Sequence, residues 1–564
     1  MPRPTVYLLF LLFPLLVRGQ YTAIPDSVFE QKLIDLGIDS DGTVNGRVLT
    51  SDVARVRTLQ LIRGTGGYIH DLTGIEDFIN LDTLICNDHI IRQMDLSHNT
   101  SLKYLDVYQT GLHSLDVSAL TQLEYLKCSN EMHTDYVFDG FNRIDTLDLS
   151  RNSRLKTLIT NDNGLHHIIF PGNPRLEYLE AGANRLEHID FSGQKQLRKL
   201  ILLTSYMGDT LDISGLSSLE YLDVNKCDLR HIRFPDTQTL RYLFLGYFYM
   251  GWERTEEFDG DNRLPDLDLS RFTELRVLAA RQIGLRSIDL SSNPELEILN
   301  VSKNPLHSLD VSRNIHLKDL HAVYSGLHSL DVSHNPELEI LSIRNFVIPV
   351  ENQQMLYENH VENIDLSHNS QLQTFLAENV GLQSLDFSNN PDIEEVSISE
   401  NPIHFLDLSE NPQMYALFAI QTELEYLNLK NGHNRRLEYM YATRNPYLEC
   451  IQVDDTAYAY TRPHWYKDST AVYATECSRP GEEPGNDVED FVLYPVPAHD
   501  RIYWKLPPDK VLRRLSVYDM SGKHVGDGMS GADSYFIGEL SSGIYLVTII
   551  FADGEKKIKT FVKY

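Results

Sequence analysis

Apolar residues along this chain recur with a period of 21. Three copies show the unit most clearly: LEILNVSKNPLHSLDVSRNIH (296–316), LKDLHAVYSGLHSLDVSHNPE (317–337) and LKYLDVYQTGLHSLDVSALTQ (102–122). Numbered from the first Leu, the apolar positions are 1, 4, 6, 11, 14 and 16. Position 9 is often Asn, and a Leu-Asp-apolar-Ser run fills 14–17. Units begin at residues 81, 102, 123, 155, 176, 197, 219, 240, 275, 296, 317, 338, 372, 393, 414 and 437, with a looser first unit near Val56. The first six positions alternate, as in LEYLDV and LEILNV, and predict a half-buried strand. The second half is also extended in pattern. Twenty-one residues leave no room for two strands and a helix, so the expected fold is a β-rich solenoid with little helix. One unit cannot bury its own apolar face, so the copies must stack around a continuous core.

The rest of the chain divides around the repeats. Residues 1–19 read as an export signal: Arg3, an apolar run from Val6 to Val17, then Val17 and Gly19 before a cut ahead of Gln20. That run is too short to span a bilayer well, and no later stretch supplies a transmembrane segment. Residues 20–55 predict an N-terminal helical cap, with Ser27 and Glu30 at capping-box spacing and Gly37 as the stop. The loop DSDGTVNG (39–46) hints at calcium, although its glycines stand at the fourth and eighth places and not at the sixth. The solenoid covers 56–455. A C-terminal cap and a Pro/Gly/acidic linker cover 456–487. The last part, 488–564, breaks into short strand-like runs and predicts a small β-sandwich.

A net charge of -30 argues against nucleic-acid partners and against docking on anionic membranes. Much of that charge is one column: Asp95, Asp116, Asp148, Asp190, Asp212, Asp268, Asp289, Asp310, Asp331, Asp365, Asp386 and Asp407 all occupy position 15. An Asp at a turn accepts nearby backbone N–H groups, and this is the role expected here, in preference to metal binding. Position 12 is a mixed polar column with His113, His166, His307, His328 and His404, which reads as a solvated face. Cys86 and Cys128 take position 6 and are expected to be buried apolar residues, and Cys227 takes position 9. Cys450 and Cys477 follow the last full unit and are the expected disulfide. No cofactor is indicated.

The pattern L-x-x-L-x-L-x-x-N/C-x-L is that of a leucine-rich repeat, filled by Leu296, Leu299, Val301, Asn304 and Leu306, and again by Leu219, Leu222, Val224, Cys227 and Leu229. Residues 20–477 resemble the internalin-J-like proteins of Bacteroidetes. This resemblance implies a surface or secreted binding protein without naming its ligand. Residues 488–564 resemble the C-terminal sorting domain of the type IX (Por) secretion system. The motifs that carry this are Tyr494-Pro495-Val496-Pro497-Ala498, the stretch from Tyr518 to Gly522, the run of Ser542, Gly543, Ile544 and Tyr545, and the lysine-rich end. Val496 stands where the first motif usually has Asn. The resemblance implies outer-membrane transport by the type IX machinery, with a sortase removing the domain near 478–490. The body is then tethered at the surface or released.

Position 3 should point out of the sheet, and it is Tyr at Tyr104, Tyr125, Tyr178, Tyr221, Tyr242 and Tyr439. Rigid rings with hydroxyls suit recognition. Stacking between neighbouring rings within the sheet is the competing reading. Three units carry inserts at one phase: 131–142, 246–262 and 346–360. The first contains Tyr136 and Phe138; the second contains Tyr247, Phe248, Tyr249 and Trp252. Such loops either bind or fold over the edge and pack on themselves. No catalytic motif is present, and the caps, repeats and sorting domain account for nearly all of the chain. The expected function is binding of a host or bacterial surface protein. A glycan-binding module and a structural coat component are the alternatives.

Overall fold

The computed structural model describes residues 20–64, 66–130, 141–170, 174–187, 189–246, 262–345, 357–477, 492–494, 501–507, 510–519, 521–528, 534–537, 540–541 and 543–563. The chain divides into two compact units, Met1–Gly326 with Pro349–Tyr357, and Leu327–Ile348 with Glu358–Tyr564.

In the first unit each coil contributes one short strand to a parallel sheet, from Thr58–Ile62 and Thr83–Asn87 through Tyr221–Asp223 and Tyr242–Phe244 to Asp319–His321. Pairing is in register, so that Leu105 faces Leu126 and Leu222 faces Leu243. The middle residue of each strand is position 4 and points into the core. Leu296, Leu299 and Val301, at positions 1, 4 and 6, are fully buried. Stacked identical positions give a dry column, and removing one such Leu costs about 2–5 kcal/mol. Cys86, Cys128 and Cys227 are buried and free, as position predicts.

The second half of the coil is less regular than its pattern suggests. Among the described residues of the first unit it pairs only as Thr146–Asp148 with His167–Ile169 and Thr210–Asp212 with His231–Arg233. Elsewhere isolated cross-coil bonds, such as the His113 N–H to the Arg92 carbonyl, and local turns take up its N–H groups. Asn293 donates to the Leu290 carbonyl and Leu296 to that of Asn293, two successive turns that leave nothing for a ladder. All twelve position-15 Asp side chains accept the N–H of the Ser two residues on, at 2.8–3.1 Å. These are the expected Asx turns, and the bonds hold Asp95, Asp190 and Asp365 below the usual carboxylate range.

The N-terminal helix runs Ser27–Asp35, but its cap is Asp26 and not Ser27. Asp26 Oδ1 accepts the N–H groups of Val28 and Phe29. Glu30, expected to close a capping box, is instead buried and accepts the N–H groups of Asn45, Gly46 and Arg47 at 2.9–3.0 Å. A carboxylate that gathers three backbone donors is better satisfied than one reaching back to a cap.

The second unit continues the same design in strands Ile340–Ser342, Thr374–Leu376, Glu395–Ser397, Ala416–Phe418, Tyr439–Ala442 and Trp465–Lys467. Here a second parallel sheet does form, Phe405–Asp407, Tyr426–Asn428, Cys450–Gln452 and Val472–Ala474. The Cys450–Cys477 disulfide ties its last strands. The C-terminal segment has two antiparallel sheets of three and four strands, with Ile502, Trp504, Val517, Val547 and Phe561 in one core.

Candidate binding surface

Position 4 is buried in every strand, so positions 3 and 5 share the opposite face. In the first unit that face carries more than tyrosine. Tyr104 and Tyr125 stack with ring centroids 4.2 Å apart and planes within 3°. Lys127 Nζ lies 4.5 Å from the Tyr108 ring. Farther along, Lys199 Nζ sits between two rings, 5.4 Å from Tyr178 and 4.3 Å from Tyr221. Tyr221 contacts Tyr242 at 5.9 Å and Phe244 at 5.1 Å. Tyr242 is the most open of these, 38% exposed. Tyr439, in the second unit, lies against Tyr415 and His464 at 5.7 and 5.3 Å.

Carboxylates interleave with the rings. Glu180 accepts from the Tyr178 hydroxyl and from Asn161 Nδ2, each at 2.6 Å. Burial pushes Asp223 up to about 6, against the pull of the Asn225 N–H and of Lys199. Burial likewise pushes the Tyr221 hydroxyl up to about 12. The surface therefore offers half-buried aromatic rings, neutral hydroxyls and one carboxyl that burial raises to about 6.

The tyrosines thus fall into separate clusters: Tyr104 with Tyr125, then Tyr178, Tyr221 and Tyr242 joined through Lys199. Stacking is real, and it leaves Tyr104, Tyr125, Tyr178 and Tyr221 half-buried and Tyr242 exposed. Position 5 belongs to the same face, because the alternation that exposes position 3 also exposes it. In the second unit it carries Phe418, Tyr441 and Tyr466, stacked at 5.3 and 4.9 Å.

Tyr136, Phe138, Tyr247, Phe248, Tyr249 and Trp252 lie outside the described residues. The described residues do show how the inserts are held. The first two inserts end on an Asn and the third has Asn359 as its next-to-last residue, and that Asn takes over the position-9 role of its coil. Asn142 Oδ1 accepts from the Leu112 N–H, and its Nδ2 donates to the Val107 and Cys128 carbonyls. Asn262 does the same for Leu229, Val224 and Leu245. Asn359 accepts from Leu327 and donates to Ile343. Two inserts are also pinned at their base. Asn130 accepts from the Asn142 N–H and donates to its carbonyl, and Asn345 makes the same pair of bonds with Asn359. At the base of the second insert Gly246 abuts the next coil, where an added Cβ would come within 2.0 Å of the Arg281 carbonyl oxygen. An insert can therefore vary without breaking the core beneath it.

The position-9 column is the larger omission. Asn304 Oδ1 accepts the N–H groups of Ile283 and Leu285 in the coil before, and its Nδ2 donates to the Ala280 and Val301 carbonyls. One amide satisfies two coils, so every second coil suffices. The column reads Asn262, Ile283, Asn304, Ser325 in one unit and Asn359, Val380, Asn401, Thr422, Asn445 in the other. Where amides follow in consecutive coils one is underused: the Asn142 N–H, in the coil before Asn163, already donates to Asn130 Oδ1, and Asn163 Oδ1 is buried without a partner. His89 fills the same position, with Nδ1 accepting from the Ile69 N–H and Nε2 bonded to the Leu61 carbonyl.

Position 2 is a further patterned column. It alternates in charge from coil to coil: Arg57, Asp82, Lys103, Glu124, Lys156, Glu177, Arg198, Glu220, Arg241. Arg57 and Lys103 flank Asp82 at 2.9 and 3.4 Å, and Lys156 meets Glu124 at 2.8 Å. Arg198 meets Glu220 at 2.6 Å, and Arg276 meets Glu297 at 2.9 Å. The alternation favours one stacking register over its neighbours. In the histidine column, His166 pairs with Asp145 at 2.8 Å, and His404 lies beside Glu425 at 3.2 Å.

The repeat, the coil-by-coil parallel sheet and the amide column define a leucine-rich repeat solenoid. Residues 492–563 match the family described as the secretion system C-terminal sorting domain. That domain marks the chain for export to the cell surface or the extracellular space. Of the expected sorting-motif residues, Tyr494 ends strand Val492–Tyr494 and Gly543 begins strand Gly543–Phe551. Gly522, at φ +84°, makes the turn after strand Leu512–Asp519, where Asp519 accepts from Ser521 and Lys523. Pro495 and Pro497 lie outside the described residues, as does the expected export signal.

Among solved structures the chain is similar to the functional domain of InlJ from Listeria monocytogenes, with 21% identity over 97% of this chain and 99% of that one, at a TM-score of 0.49. It is also similar to the leucine-rich repeat ectodomain of the plant receptor kinase GASSHO1/SCHENGEN3 from Arabidopsis thaliana, solved with CASPARIAN STRIP INTEGRITY FACTOR 2. There the identity is 14% over 72% of this chain and 55% of that one, at a TM-score of 0.42. No curated protein matches the chain. No helix among the described residues is long and apolar enough to cross a membrane.

Proposed function

We propose that this is an exported interaction protein whose solenoid binds a protein on a host or neighbouring cell, and that the Tyr178, Tyr221 and Tyr242 cluster is the centre of that contact. The observation that carries this reading is the cluster itself: rings fixed by Lys199 and by one another, with little rotamer entropy left to lose on binding. The aromatic inserts 131–142 and 246–262 supply specificity. A type IX sortase removes the sorting domain after transport.

Ring geometry speaks against the glycan reading. A sugar stacks on an open ring face, whereas Tyr104 and Tyr125 cover each other and Lys199 lies over Tyr221. The test is saturable binding of the purified protein to epithelial cells, matrix proteins and partner bacteria. Protease treatment of the target is expected to abolish binding, and soluble glycans to leave it unchanged. Inhibition by glycans with no effect of protease would reverse the choice. No saturable binding would leave a structural coat role.

A further inference from the structure

The loop between helix Ser27–Asp35 and strand Arg47–Leu49 carries chemistry that the binding face does not use. Asp39 is only 5% exposed. Its Oδ1 accepts the Asp41 N–H at 3.2 Å, whereas its Oδ2 is buried and has no hydrogen-bond partner. A buried carboxylate oxygen left unmatched is costly. Asp39 also lies within electrostatic reach of Asp41, Glu30 and Asp52, and burial and these charges together raise its pKa.

Of these neighbours only the Asp41 carboxyl shares a side-chain hydrogen bond with it, and that brings no positive charge. Glu30 is fully engaged with the N–H groups of Asn45, Gly46 and Arg47. Asp41 is held by neutral donors, the Thr43 N–H and Asn45 Nδ2, each at 2.9 Å. Asp52 Oδ2 takes the Ser40 hydroxyl at 2.6 Å. The guanidinium of Arg47 lies over the Tyr21 ring at 4.2 Å. Asp39 therefore has three carboxylates in electrostatic reach, Asp41 on the same loop, Glu30 on the helix before it and Asp52 beyond strand Arg47–Leu49, and it keeps one unmatched oxygen.

We propose that Asp39, with Asp41 and Asp52, binds a calcium ion that fastens the N-terminal cap to the solenoid. The donors are all oxygen, the preference of a hard cation, and Thr43 and Asn45 continue the every-second-residue spacing begun by Asp39 and Asp41. The loop lacks the glycine placement of an EF-hand, and the set is a different one. Among the described residues no three such side chains already form a metal cluster. The ion therefore draws the loop closed as it binds, exchanging the Asn45 and Ser40 contacts for stronger ones. That places its affinity with extracellular calcium modules, at about 10⁻⁴–10⁻³ M.

The test is calorimetric titration of the whole protein with calcium chloride, repeated with magnesium chloride. One saturable calcium site is expected. Asp39→Asn should weaken it at least about tenfold, because an amide oxygen replaces a charged ligand. Asp289→Asn, in the exposed turn column, should leave it unchanged and controls for diffuse binding to an acidic chain. Should Asp39→Asn fail to fold by circular dichroism, Asp41→Asn, on an exposed carboxylate, carries the same expectation. Absence of a saturable site, retention of it in the Asp39 and Asp41 variants, or equal loss in Asp289→Asn would overturn the proposal.

Discussion

Two columns of the same coil behave differently. The position-9 column inside the turn holds Asn in alternate or successive coils, and amides such as Asn142, Asn262, Asn304 and Asn401 repeat the same bonds to the coil before them. The position 3 and 5 columns on the sheet face change from coil to coil: a tyrosine pair, a lysine held between rings, a half-buried aspartate, then aromatic stacks in the second unit. Nothing in the architecture requires that variety. The inner column is repetitive because each coil poses the same backbone problem. The outer face is free to vary because no neighbouring coil dictates it, and variation there is what a specific partner can read.

The contrast predicts effects of graded size. Asn304→Ala should be the most damaging, because it strands the Ile283 and Leu285 donors and the Ala280 and Val301 acceptors inside the solenoid. A loss of about 3–5 kcal/mol in urea unfolding is expected, whereas Asn163→Ala, at an underused amide, should cost less than about 1 kcal/mol. Equal losses would break the two-coil account.

Asp223→Asn comes next. Its folded pKa stands above the unfolded value, so the folded state holds its proton to higher pH. Stability from this group is full below about pH 4 and falls as pH rises toward 6. The amide should therefore stabilise the protein by about 1–2 kcal/mol at pH 7 and have little effect at pH 4, read from unfolding curves at both values. Destabilisation at pH 7 would mean that Lys199 and the Asn225 N–H outweigh the burial.

Reversal of the position-2 column should matter least. Lys156→Glu should cost a few tenths of a kcal/mol at low salt, and the difference should fade by 1 M salt. A loss that persists in high salt would show that the column acts through packing and not through charge.

The sequence made the solenoid legible because its apolar period survives alignment by eye. The position-15 Asx turns, the buried Cys86 and Cys128 and the Cys450–Cys477 bridge were legible for the same reason: each is local, or fixed by its place in the unit. What stayed hidden lies between coils. The partners of Asn304 sit about 21 residues away, and those of Asn142 and Asn262 are displaced further by an insert, so no local pattern displays them. Asp26 was passed over as the cap because Ser27 and Glu30 fit a motif, yet Glu30 had three better donors 15–17 residues on. Phe244 and Asp223 were missed because only one of the two outward positions was followed.

The most direct measurement is equilibrium binding of the double variant Tyr221→Ala/Tyr242→Ala to the cell-surface target proposed for the unmodified protein. The double variant should unfold within about 2 kcal/mol of the parent, since the rings lie on the sheet face and outside the core. Affinity should fall at least about tenfold, as expected when aromatic anchors are removed from the centre of an interface. Unchanged affinity with an intact fold would contradict the account and leave the tyrosines as sheet-stabilising residues alone.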